Sequence, residues 1–190
     1  MKRSGKIGLI VFGVILVAVV VGYALHLNHK SKTDAERVAE STAVQKVLQK
    51  DLERSYPPTP KEVVKYFADI TKCFYNEDYT DEELEQMAVK IQGLYDDELI
   101  ANKTQEDYMT DLRNEIADMK QNHYTISGYV LSASVDVEEF TENGYSCARL
   151  YCTFNVKQST NGTARSMEQF VLRKDDEGHW KILGWELVED

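Results

Sequence analysis

The chain has 190 residues, 22 Lys+Arg against 32 Asp+Glu and 43% hydrophobic residues, which suffices for one globular domain with an appendage and excludes two full domains. Residues 1–32 hold five cations and no acid, so the remainder carries a net charge of −15. Nucleic-acid binding needs a basic face, and an acidic body with scattered Lys and Arg excludes it.

In chain order, the first element is Ile7 to Leu25, 19 consecutive residues without a charge. As a helix this run is about 28 Å long, the thickness of a bilayer's hydrocarbon core, and it is longer than the apolar region of a cleaved signal peptide. It reads as a single membrane span covering residues 7–27. Lys2, Arg3 and Lys6 precede it, so residues 1–6 form a cytoplasmic tail and the C-terminal domain lies outside the cell. The expected location is therefore the cell membrane, with residues 7–27 as the membrane contact. Residues 28–58 form a juxtamembrane helix and linker. Val38, Val44, Val47, Leu48 and Leu52 give residues 33–55 an amphipathic pattern that suits either a stalk or a helix folded back on the domain.

Tyr56-Pro57-Pro58-Thr59-Pro60 ends that segment, because each proline fixes φ and biases its predecessor to extended geometry. Residues 59–190 form the folded domain. Thr59 caps the next helix, with Pro60 at its first position and Glu62 completing a capping box. Thr80 with Glu83 and Thr104 with Asp107 mark two further helix starts, Gly93 ends the middle helix, and Leu94–Ala101 adds a short turn. From Tyr124 the hydrophobic period changes to two. Strands are expected over 124–138, 145–157, 164–174 and 179–188, joined by Glu142-Asn143-Gly144, residues 159–162 and Asp175–Gly178. The expectation is an α+β fold, with three to four helices on one face of a four-stranded antiparallel sheet.

This element order, closing on Gly178-His179-Trp180-Lys181-Ile182, resembles the cone-shaped superfamily named after nuclear transport factor 2. The chain is also similar to membrane-anchored extracytoplasmic proteins of Gram-positive bacteria that carry the Tyr-Pro-Pro-Thr-Pro boundary and whose function is not established. The resemblance implies a cone-shaped domain with a curved sheet. Enzymes of that superfamily keep an acid or base deep in an apolar cone, while other members are non-catalytic adaptors.

Strand parity puts Ser166, Glu168, Phe170 and Leu172 on one face, which aims Glu168 inward; its place near the strand start suits a solvated position at the cone mouth instead. Glu168 with Tyr66 and Tyr108 is the candidate ligand-binding set. Tyr145, Arg149, Tyr151 and Met167 share the opposite sheet face and form a candidate interaction surface for a homodimer or an envelope protein. No residue is assigned a catalytic role, no metal ligand is named and no cofactor is expected, because metal-binding, phosphate-binding and nucleophile motifs are absent. Cys73, Cys147 and Cys152 read as buried free thiols; Cys147 and Cys152 point to opposite faces of one strand, leaving Cys73 as the only geometrically open disulfide partner. Asn102-Lys103-Thr104 and Asn161-Gly162-Thr163 match the glycosylation pattern. The expected function is a membrane-anchored, extracytoplasmic, non-catalytic interaction module. The alternatives are a small-molecule binder or enzyme using the cone, and an assembly component of an envelope or secretion complex.

Overall fold

The structure, a computed structural model, describes residues 42–158 and 162–188. The tail, the span at 7–27 and the start of the juxtamembrane segment lie outside the described residues, as does Asn161. No helix among the described residues is long and apolar enough to cross a membrane.

Threonine caps start the helices where the sequence indicates. The short α1 (Ala43–Leu48) is capped by Thr42, and α2 (Pro60–Asn76) starts at Thr59, whose Oγ1 accepts the Glu62 amide at 3.2 Å. In α3 (Asp81–Gln92), Thr80 and Glu83 form a reciprocal capping box. A single turn, α4 (Asp97–Ile100), is capped by Asp96, and α5 (Gln105–Gln121) by Thr104. Gly93 closes α3 in a right-handed conformation, so the residue is small for space: a Cβ there would sit 3.1 Å from Leu52 Cδ1.

The long first strand expected from sequence is two strands: β1 (Tyr124–Leu131) and β2 (Glu138–Glu142) are separated by a 3-10 turn at Ser134–Asp136. Both run antiparallel to β3 (Tyr145–Gln158), β1 along its second half and β2 along its first. The sheet continues through β4 (Gly162–Lys174) to β5 (Trp180–Leu187) in the order β1-β3-β4-β5. The molecule is thus α+β, with five helices and a five-stranded antiparallel open sheet among the described residues. Asn143 and Gly144 both have positive φ in the two-residue β2–β3 turn, the geometry that this dipeptide favours in hairpins.

The helices cover one sheet face. Phe67 of α2 meets Phe170 of β4 edge-on at 5.2 Å, and Val63, Ile70, Met87, Leu150, Leu172 and Ile182 are fully enclosed around them. Val44 and Val47 of α1 belong to this same core, so the amphipathic segment folds back on the domain as far as it is described. Tyr66 fixes it by donating its hydroxyl to Val47 O at 2.6 Å. Segment Leu94–Asp96 runs parallel to β5: Ile182 N donates to Leu94 O at 2.7 Å and Asp96 N to Ile182 O at 2.9 Å. That pairing covers the β5 edge and carries Tyr95 inward.

Candidate functional site

Between the helices and the end of the sheet lies a cavity of about 90 Å³. Phe67, Phe74 and Tyr75 from α2, Tyr95 from the β5-paired segment, Tyr108 from α5 and Trp185 from β5 supply six rings to its wall. Asn102, Lys103 and Asp111, all exposed, stand at its rim. Lys103 there is paired with Asp111 at 2.5 Å.

Trp185 reaches the cavity through a bulge. Ile182 pairs with Leu172 and Gly184 with Val171, so Leu183 is the extra residue, and the alternation of side chains is reset by one. Without it Trp185 would face away; with it the indole packs on Phe67 at 5.1 Å and on Tyr95 at 5.8 Å. The indole Nε1–H is buried and has no hydrogen-bond partner.

The acidic group in the wall is Glu115 of α5, which accepts a hydrogen bond from the Tyr75 hydroxyl. Burial pushes its carboxyl up to about 7, against the opposing effects of the Tyr75 bond and of the Lys103 charge. Glu168 lies nearby on β4, 3% exposed, with Oε2 lacking a partner. Desolvation first, and then the charge of Glu115, push Glu168 up to about 8. Near neutral pH Glu168 is therefore mostly protonated and Glu115 is poised between its two forms. The tyrosines are shifted the same way: burial and Glu115 raise Tyr75, while burial and Tyr108 raise Tyr95, so all remain neutral hydroxyls. A buried polar group without a partner costs about 1–3 kcal/mol, and this corner leaves both a carboxyl oxygen and an indole N–H in that state.

Of the sequence candidates, the structure places Tyr108 in the cavity wall and Glu168 on the inner face behind it, buried rather than at a solvated mouth. Tyr66 is not part of this cavity. It lies across the helix layer, in a groove beside α1 with Lys50 over its ring, and its hydroxyl is already used on Val47 O. Glu115, Tyr75, Tyr95 and Trp185 are not among those candidates. Glu115 falls at helical spacing from Tyr108 and Leu112 on the apolar stripe of α5, a polar residue among core positions, and that spacing is the signal that could have found it.

On the outer sheet face Tyr145 and Tyr151 are 49% and 38% exposed, Arg149 pairs with Glu138 at 3.0 Å and lies over Phe140, and Met167 is half-buried opposite Thr153. Cys73, Cys147 and Cys152 are buried free thiols. Asp175, Glu177 and His179 bring donor atoms within 4.8 Å of one another at the β4–β5 turn. Asp175 Oδ1 there accepts the Glu177 and His179 amides, and His179 stacks on Tyr56 at 4.4 Å, so the cluster serves the turn.

The fold and cavity define a small α+β domain with a ring-lined, acid-bearing pocket between its layers. Residues 1–185 match the model of the family described as Domain of unknown function (DUF6715), and the chain belongs to that family. No curated protein matches it.

Proposed function

We propose that this protein is a membrane-anchored extracytoplasmic binding protein that holds a small molecule in the cavity between its helices and its sheet. The reading keeps residues 7–27 as the anchor, with the N-terminus in the cytoplasm, and takes the domain as a member of the cone-shaped superfamily named after nuclear transport factor 2. Element order and a pocket on the helix side of the sheet support that assignment. The observation that carries the binding reading is the orphaned pair of buried polar atoms, Trp185 Nε1 and Glu168 Oε2, in and behind a ring-lined wall. A core built only for stability leaves few such groups unpaired.

A dry cavity of about 150 Å³ accepts a benzene ring, so 90 Å³ suits a solute of about three or four non-hydrogen atoms. The full chain in maltoside micelles is the material for the test. Solutes of that size should raise its melting temperature by a few degrees at millimolar concentration, as ligands that bind only the folded state do. Leu112→Phe, which puts extra carbon into the cavity, should abolish the shift. Equal shifts in both proteins, or none from a broad solute set, would contradict the reading.

A second reading is an interaction module using the outer sheet face, favoured by the exposed Tyr145 and Tyr151 and by Val130, 63% exposed on β1. It is tested by the mass of the full chain in solution after Tyr151→Ala.

A further inference from the structure

What the cavity wall leaves unpaired narrows its ligand. Thr71 donates to Phe67 O at 2.9 Å, Tyr75 donates to Glu115, and the Tyr95 and Tyr108 hydroxyls are hydrogen-bonded to one another. Lys103 at the rim acts on Glu115 and is paired with Asp111. Of the side-chain polar atoms buried in this wall, only the Trp185 indole Nε1–H lacks a partner among the described residues. An indole N–H donates and cannot accept, so whatever completes the wall must bring an acceptor.

That requirement sorts the ligand classes. An ammonium or guanidinium ion has no acceptor to offer, and neither has a hydrocarbon. A carboxylate has oxygens, but here it would lose its water beside one acid, Glu115, with a second, Glu168, behind it, and the rim lysine is already paired with Asp111. Small neutral carbonyl compounds remain. Glu115 accepts one bond from Tyr75, and a carboxyl group has lone pairs for more than one. An amide uses that capacity by donating its own N–H, which a ketone cannot do. Resting on the pocket reading above, we infer that the cavity takes a neutral amide group of acetamide size, its carbonyl oxygen accepting from Trp185 Nε1–H and its N–H donating to Glu115. The group arrives either as a free amide or as the acetylated amine of a larger molecule that extends past the exposed rim at Asn102 and Asp111.

The probes are acetamide, acetone, acetate and guanidinium, which all have four non-hydrogen atoms. Acetone only accepts, guanidinium only donates, and acetate carries a negative charge. Each is titrated into the full chain in maltoside micelles at pH 7 and constant ionic strength, followed by the indole ¹H–¹⁵N resonances and by calorimetry. The chain has two tryptophans, so Trp180→Phe leaves the Trp185 signal alone. Acetamide should move that signal downfield and saturate, and should bind about fivefold more tightly than acetone, the worth of one net hydrogen bond. Acetate and guanidinium should leave the signal in place. Trp185→Phe, which keeps a ring and loses the donor, should weaken acetamide about fivefold in calorimetry. N-acetylglucosamine against glucosamine distinguishes the two sources: a shift with the acetylated sugar makes the amide the end of a larger molecule, and a shift with acetamide alone makes it free. Equal binding of acetamide and acetone, or binding of guanidinium or acetate in place of acetamide, would overturn the amide inference and leave the pocket reading standing. A Trp185 signal indifferent to acetamide would overturn it as well, and binding of none of the four would remove the pocket reading with it. If Trp185→Phe does not fold, the indole signal of the unaltered ring in Trp180→Phe decides the matter alone.

Discussion

Two buried acidic corners of this domain, a few residues apart in the sheet, have opposite arrangements. Asp96 is 4% exposed and Glu168 3%. Asp96 caps α4 through the Glu98 amide and receives two bonds from the Arg173 guanidinium, at 2.9 and 2.5 Å. Those bonds, that to Asp96 foremost, raise Arg173 further above its already high value. Among the described residues no ion pair holds Glu168, and the charge that acts on it is that of another acid, Glu115. Equal burial thus gives a fixed ion pair in one corner and a protonated carboxyl in the other. The first is a structural tie between β4 and α4; the second leaves a buried carboxyl oxygen without a partner.

The largest effect expected from breaking this contrast comes from the paired corner. Arg173→Leu strands Asp96 in the interior and should cost about 3–5 kcal/mol in urea unfolding. In the unpaired corner the effect appears as pH dependence. An acid whose pKa is higher folded than unfolded holds its proton longer in the native state, so its contribution to stability is complete below the unfolded value. It is lost as pH rises through the folded one. Unfolding free energy should therefore fall from about pH 4.5 to about pH 8, by about 1.4 kcal/mol per pH unit for each full proton. Glu168→Gln should flatten that slope in the upper part of the range. A profile that rises over this interval would place the two glutamates in the ionised form.

A smaller change sharpens the comparison from within the cavity. Tyr75→Phe removes the donor that holds Glu115 down, so the Glu115 midpoint should move up, with a stability loss of about 1 kcal/mol. Smallest is the outer face: Tyr151→Ala should shift stability by about 0.5 kcal/mol in urea unfolding.

Much of this architecture was legible because the signals are local. Thr59, Thr80 and Thr104 start helices wherever they occur before the right partner, and Asn143-Gly144 dictates its own turn. The inner alternation of β3 and β4, Glu168 included, follows from period two alone. Two features were hidden by irregularity. The first strand is broken at Ser132, whose hydroxyl accepts the Tyr151 amide at 2.9 Å and turns the chain toward β2. The bulge at Leu183 reverses the facing of Trp185, and strand parity cannot register an extra residue. Glu115 escaped because an acid in a helix reads as solvated surface until the tertiary fold lays Tyr75 and the sheet against it. Tyr66 misled for the converse reason: its place on the α2 apolar face is satisfied by α1 packing back.

The most direct test of the central claim is a carboxyl ¹³C titration of the glutamates by NMR in the full chain, with Glu115→Gln and Glu168→Gln as assignments. Two side-chain carboxyls with midpoints near 7 and 8 are expected, each lost in its own variant. Midpoints for both in the ordinary range of 4 to 5 would mean that the acids are ionised and solvated at neutral pH, and that burial does not hold them protonated.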